Sequence, residues 1–264
     1  MSIDLDSRRP QYHHQQTGLR IAPTQNGPAG SGHGGVSGGR FAALVEPDAA
    51  RVRFLAPIPL GADLDASRRD DGVVVHHDGV DIAIVADLDG PLIVGGFPAL
   101  PDPITLDRAQ RTWLDARDGQ HMAPTCFACG NERASHLGGL GLRPGPIGNG
   151  LYAARWTPSG RRGGARSHER VPSWLVWAAM DCPTGFPAIS EVAADEAVLT
   201  GELAVQVLER VEVDVPHVIM SRLVARSGRR LFTEAALFAP HGARVAVATA
   251  TWVSVPMAAL PVAA

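Results

Sequence analysis

The chain of 264 residues carries 24 basic and 27 acidic side chains, a net charge of −3, with 45% hydrophobic and 19% charged residues. That balance suits one large globular domain or two of about 120 residues each, and it gives no electrostatic case for binding nucleic acid. All the Lys+Arg count is arginine, and the lack of lysine excludes Schiff-base and lysine-nucleophile chemistry.

Residues 1–17 are polar and read as an unstructured tail. Residues 1–10 lack the apolar core of a signal peptide, and no stretch approaches the roughly 20 apolar residues of a membrane span. The expected location is the cytoplasm. Next comes a glycine-rich stretch, Asn26-Gly27-Pro28-Ala29-Gly30-Ser31-Gly32-His33-Gly34-Gly35, leading into an apolar helix that runs towards Val45. A helix start offers unpaired N–H groups and a positive dipole end. Glycines there let a substrate oxygen approach the backbone, so Gly34 and Gly35 are candidates for an oxyanion-binding turn. Strand-like runs follow at 72–77 and 80–88, joined by the turn residues Asp78-Gly79. A proline-rich linker spans 97–103, and a helix is expected over 106–117 with Thr105 as its cap.

Farther on, residues 171–180 are apolar on every side, the mark of a buried helix. Pro183 is expected to end that helix and leave Asp181 in its last turn. Strand-like runs follow at 205–217, 218–226, 231–239 and 243–255, with turns at Ser227-Gly228 and Pro240-His241-Gly242. Each half of the chain thus reads as one helix followed by an antiparallel meander. Such an internal repeat suggests two copies of one domain packed as a pseudo-dimer.

One helix wrapped by an antiparallel sheet, twice over, resembles the hotdog fold of the thioesterase superfamily. Cys126-Phe127-Ala128-Cys129-Gly130-Asn131, followed by Gly139-Leu140-Gly141-Leu142-Arg143-Pro144, is similar to the lead-in of such a domain. His33-Gly34-Gly35 is similar to the histidine–glycine–glycine helix start of the same superfamily. The resemblance covers residues 20–95 and 122–256. It implies an α+β double hotdog, with two antiparallel sheets each wrapping a central helix. The divisions are a tail (1–17), an N-terminal hotdog lacking the usual first hairpin (18–96), a linker with a helix (97–121), a C-terminal hotdog (122–256) and a tail (257–264).

The resemblance also implies a site. In the thioesterase branch a carboxylate often stands nine residues after the histidine, as nucleophile or as base for water. Here that position is Ala42, whereas alignment of the two helices pairs His33 with Pro172 and places Asp181 nine residues on. His33, Gly34 and Gly35 from one copy then complete a single site with Asp181 from the other, and the symmetry-related site at Ala42 and Pro172 is dead. Read on its own, Asp181 shares a helix face with Trp174, Trp177 and Ala178, where burial raises a carboxylate pKa. The bland alternative for Asp181 is a loop cap or an arginine partner, and for His33 a purely structural tie of its loop.

Ser37 is a candidate substrate contact or a small packing residue. Trp174, Trp177 and Phe41 are candidate walls of an acyl pocket or plain core. Arg161, Arg162, Arg166 and Arg170 suit the phosphates of coenzyme A, and a solvated loop is the commoner explanation of such a run. Asp214 and His217 point to opposite faces of a strand, so the hydratase-like aspartate–histidine pair is rejected. Cys126 and Cys129 form a C-x-x-C with only His121 and His136 nearby, short of four zinc ligands, and the lead-in that it resembles carries the pair without metal, so no metal is expected; a redox disulfide is the alternative, without a thioredoxin-like context. Cys182 reads as a buried thiol without a base. The expected activity is acyl-CoA or acyl-carrier thioester hydrolysis without a cofactor, in a pseudo-dimeric chain open to further homo-oligomerisation. The rival is a non-catalytic acyl-CoA or lipid binder.

Overall fold

A computed structural model describes residues 18–159 and 170–261. In chain order the elements are β1 (Leu19–Arg20), α1 (Gly34–Ala42), β2 (Ala49–Phe54), β3 (Asp63–Arg69), β4 (Gly72–His77), β5 (Val80–Asp87), α2 (Pro103–Thr112), β6 (Gly145–Gly148), β7 (Leu151–Trp156), α3 (Ser173–Ile189), β8 (Glu196–Val207), β9 (His217–Ser227), β10 (Arg230–Phe238) and β11 (Arg244–Pro256).

The two sheets expected from the sequence are continuous. Eleven strands run in the order β1-β3-β4-β5-β2-β8-β11-β10-β9-β7-β6, and every pairing is antiparallel. The join is the β2–β8 pair, with Val52 opposite Leu203. Outward from that join, each half places its first post-helical strand, then its fourth, third and second. Beyond these the C-terminal half adds the hairpin β6–β7, where the N-terminal half has only the two-residue β1.

One face of the sheet holds α1 and α3 with the main core, including Phe41, Trp177, Met180, Leu203, Leu231 and Leu237. The helices approach backbone to backbone because α1 presents glycines to α3. A Cβ built on Gly35 would lie 2.5 Å from the Trp177 carbonyl oxygen, and one on Gly39 would lie 2.5 Å from Trp174 Cα. The segment 88–102 crosses to the C-terminal half and seals a second cluster, in which Leu92, Val94, Phe97 and Leu100 pack near Met220, Phe238 and Val247. Its backbone is tied by Leu92 N–H to Gln206 Oε1 (2.8 Å) and Gly95 N–H to Glu234 Oε2 (3.1 Å).

Three sequence expectations change. Helix α2 is capped by Asp102 rather than Thr105, because the Asp102 carboxylate accepts the Ile104 and Thr105 N–H groups with Pro103 at the first helical position, a favoured start. It ends at Thr112, short of Arg117. The run 205–217 is no single strand: β8 starts at Glu196 and stops at Val207, and Asp214 adopts φ +61° in the connection to β9.

The third change is α3, which continues through Pro183 and Pro187 to Ile189. Pro187 has no N–H to give the Pro183 carbonyl; the Ser221 hydroxyl donates to that oxygen instead, at 2.6 Å. Burial of every α3 residue from Leu175 to Ala188 supplies enough packing to hold the helix across both prolines. Asp181 therefore lies in the middle of α3, not in its last turn.

Candidate active site between the two helices

The entry to α1 is a tight turn rather than a loose loop. Gly27 N–H donates to Ser31 O (2.9 Å), His33 N–H to Gln25 O (2.9 Å), and Ile58 N–H to Ser31 Oγ (2.9 Å). The lead-in loop clamps it from the side: Phe127 N–H donates to Asn26 O (2.8 Å), and Arg133 donates to Asn26 Oδ1 (3.1 Å), Thr125 O (2.8 Å) and Thr24 O. His33 is the N-cap of α1, as Pro172 is of α3. The helix alignment drawn from the sequence thus pairs equivalent positions.

Asp181 of α3 projects onto this helix start. Its Oδ2 accepts the Gly35 N–H at 2.8 Å and its Oδ1 accepts the Thr200 hydroxyl at 3.0 Å. His33 Nε2 lies 3.4 Å from Oδ2. Asp181 is 2% exposed. Burial pushes its pKa up, and the neighbouring His33, the Gly35 N–H and the Thr200 hydroxyl pull the other way without cancelling it. The helix dipole that reaches the carboxylate is the positive end of α1, which favours the charged form.

The first four N–H groups of α1 have separate fates. Gly35 N–H is taken by Asp181, Val36 N–H by His33 Nδ1 (3.2 Å) and Ser37 N–H by His33 O (2.9 Å). Gly34 N–H has no partner among the described residues. Gly34 and Thr200 are half-buried and form the accessible rim of the site. A Cβ on Gly34 would stand 2.8 Å from Thr200 Oγ1 and 3.0 Å from Asp181 Oδ2, so any side chain there would crowd the carboxylate and the hydroxyl that holds it. The expected Gly34/Gly35 donor pair reduces to Gly34.

Since His33 Nδ1 accepts the Val36 N–H, the proton of the neutral ring sits on Nε2. That N–H faces Cys182 Sγ at 3.2 Å as well as Asp181. Neutral His33 is a donor and helix cap, and it has no lone pair on the side of the site with which to act as a base.

The remaining expected residues lie elsewhere. Ser37 is fully buried against Gly32, its hydroxyl unpaired among the described residues. Trp177 and Phe41 are core, and Trp177 Nε1 donates to Pro47 O (3.1 Å). Trp174 lies under Arg40, whose guanidinium carbon is 4.5 Å from the ring centroid. Arg170 is bound to Asp48, which also accepts from Ser173. Arg161, Arg162 and Arg166 lie outside the described residues.

Thr200 was not legible as a site residue. It precedes a bulge in β8 where Thr251 faces Glu202, Trp252 faces Thr200 and Gly201 is skipped, a device that re-aims side chains. The Thr-Gly pair was the available signal. The second feature missed is that Cys182 meets Cys126 and Cys129 beneath the site.

No protein-family model matches the sequence, and no curated protein matches it. Among solved structures the chain is similar to the tesB protein of Mycobacterium avium subs paratuberculosis, with 14% identity, 90% of this chain and 91% of that one covered, and a TM-score of 0.58. It is also similar to the acyl-CoA thioesterase II TesB2 of Mycobacterium marinum, with 13% identity, 84% and 89% covered, and a TM-score of 0.52. The chain has the fold of these thioesterases, as the resemblance in its motifs implied. No helix among the described residues is long and apolar enough to cross a membrane.

Proposed function

We propose that this protein hydrolyses acyl thioesters, with coenzyme A esters as the first substrates to test, at one composite site between α1 and α3. The observation that carries the reading is the meeting of a buried carboxylate with a helix start: Asp181 Oδ2 on Gly35 N–H, and beside it a Gly34 N–H with no partner among the described residues. A base and an oxyanion donor are what hydrolysis of an activated carbonyl requires. The fold shared with thioesterases supports the choice of a thioester over other carbonyl substrates.

In this mechanism the thioester carbonyl enters at the Gly34–Thr200 rim, with its oxygen on the Gly34 N–H. Asp181 takes a proton from water, and the hydroxide oxygen bonds to the carbonyl carbon. The negative charge moves to the carbonyl oxygen, where one such N–H is worth about 3–4 kcal/mol in the transition state. Collapse re-forms the C=O bond and breaks the C–S bond. The leaving thiolate takes the proton held by Asp181, giving a free acid and a thiol. Thr200 holds the carboxylate in place through Oδ1, with His33 Nε2 beside Oδ2.

The test is Asp181→Asn, which keeps the shape and lets an amide oxygen accept the Gly35 N–H. Across acyl-CoA esters of graded chain length, turnover followed by product chromatography should fall about 10²–10⁴-fold, the usual worth of a general base, with the thermal midpoint little changed. Unchanged turnover sinks the reading. That both Asp181 oxygens already hold partners favours the second reading, a binder without turnover. Saturable acyl-CoA binding with no thiol release by the native chain decides for that one.

A further inference from the structure

Four soft donors from three distant parts of the chain converge under the α1 N-terminus. Cys126 and Cys129 lie on the lead-in loop, Cys182 on α3 and His33 at the cap of α1. Cys182 Sγ is 3.1 Å from Cys129 Sγ, 3.7 Å from Cys126 Sγ and 3.2 Å from His33 Nε2. The donor atoms of His33, Cys126 and Cys182 all lie within 4.8 Å of one another. All three thiols are free and buried, and His33 is buried with them.

These spacings exceed a disulfide, where sulfurs sit about 2.05 Å apart. The sulfur pairs at 3.1 and 3.7 Å lie inside or at the edge of a zinc tetrahedron, where a Zn–S bond of about 2.3 Å sets sulfurs about 3.8 Å apart; His33, Cys126 and Cys182 form the mutually close set, and Cys129 joins it through Cys182. The local backbone suits the same purpose. The C-x-x-C turn closes through Gly130 N–H to Cys126 O (3.0 Å). It needs glycine there, since a Cβ on Gly130 would fall 2.5 Å from Pro124 O and 2.6 Å from Cys126 N. The sequence alone offered only His121 and His136 as companions. His121 instead packs on Trp113 and Phe186, His136 is exposed, and the fold brings Cys182 and His33 in their place.

We infer that Cys126, Cys129, Cys182 and His33 bind one zinc ion in a closed structural site that fastens the lead-in loop to both helices. Four protein ligands leave no open position, so the ion has a structural and not a catalytic role. Binding releases the three thiol protons. Coordination through His33 Nε2 moves the ring proton to Nδ1, so the Val36 N–H cap bond of 3.2 Å is given up on loading. The site does not depend on the hydrolase reading.

The full-length protein, purified without added chelator, is analysed for bound metals, stripped, and titrated with zinc and with cobalt(II). About one zinc per chain is expected. Stripping should lower the thermal midpoint and zinc should restore it. Cobalt should give thiolate charge-transfer absorption together with the strong visible bands of a tetrahedral site. Cys129→Ser and Cys182→Ser should each lose the stoichiometric metal, and the Val36 amide resonance should shift on loading. Because those variants could fail to fold, the native chain is decisive by itself. A folded, metal-free protein whose midpoint and Val36 resonance ignore zinc overturns the inference, as does a disulfide found by mass or stoichiometric iron in place of zinc. A cobalt spectrum unchanged by His33→Ala overturns the fourth ligand.

Discussion

Replacing Gly39 by alanine tests the helix contact on which the proposed site rests. The new Cβ would sit 2.5 Å from Trp174 Cα, 2.9 Å from Trp177 Cβ and 3.0 Å from Trp174 Cβ, whereas carbon atoms pack comfortably at about 3.5–4.0 Å. The nearest atom is α3 backbone, so no rotamer change relieves the clash and the helices must separate by roughly 1 Å. Overpacking of this kind costs about 1–3 kcal/mol, and the upper half applies because the obstacle is rigid. Alanine returns about 1 kcal/mol of helix propensity, leaving a net loss of about 1–2 kcal/mol. For a chain of this size that is a fall of roughly 2–8 °C in thermal midpoint. Gly38→Ala is the internal control: its Cβ meets side-chain atoms and no α3 backbone, the Trp177 ring edge at 3.0 and 3.2 Å and Phe54 Cζ at 3.6 Å, so a small shift of the ring offsets the same propensity gain and should leave it near neutral. Gly35 lies one turn before Gly39 on the same face, so the separation also lengthens the Gly35–Asp181 hydrogen bond. Calorimetry and urea unfolding of the two variants read the difference. A Gly39→Ala protein as stable as Gly38→Ala would refute the backbone-to-backbone account of the helix pair.

Thr200→Val removes the hydroxyl that holds Asp181 Oδ1. A hydrogen bond to a charged group is worth about 1.5–3 kcal/mol, so steady-state acyl-CoA kinetics should show kcat lowered about 10–100-fold. Arg133→Ala unclips the lead-in loop from the α1 turn by removing donors to Asn26, Thr125 and Thr24; the half-buried position suggests about 2 kcal/mol, and limited proteolysis should then cut within 122–142. Burial pushes the pKa of His217 down, opposed by its Val215 carbonyl partner and Glu212. Folding therefore favours its neutral form, and the stability this contributes is whole above the unfolded value of about 6.5 and is lost as pH falls below it. Thermal midpoints measured from pH 7.5 to 5.5 should decline less in His217→Gln than in the native chain.

The helix starts were legible because their signals are local. His33-Gly34-Gly35 marks α1, the all-round apolar run marks α3, and Asp78-Gly79 fixes the β4–β5 hairpin. The end of α3 was not legible, since proline propensity is a local cost that a distant hydroxyl, Ser221, and burial of both helix faces override. Thr200 was hidden for a related reason: its aim depends on a bulge set by pairing with β11. The thiol cluster escaped because His33 stands 149 residues from Cys182 and Cys129 stands 53 residues from it. No spacing rule for neighbouring ligands spans such separations.

Asp181 and the cysteine cluster share His33, so the hydrolase and zinc readings need variants that part them. Asp181→Asn removes the charge while keeping the acceptor for Gly35 and all four metal donors; on the two readings together it loses turnover and keeps zinc. Cys129→Ser touches Cys182 but neither the Gly34 rim nor the carboxylate. It loses zinc, and any loss of turnover should follow the loss of folded protein rather than exceed it. If activity in Cys129→Ser falls further than the folded fraction, the metal does more than fasten the loop. The closed four-ligand assignment then fails while Asp181 keeps its role. If Asp181→Asn stays active and Cys129→Ser does not, the chemistry belongs to the thiol cluster and the carboxylate is its support. The native geometry favours the first arrangement, because Asp181 Oδ2 lies beside Gly34, whose N–H has no partner among the described residues.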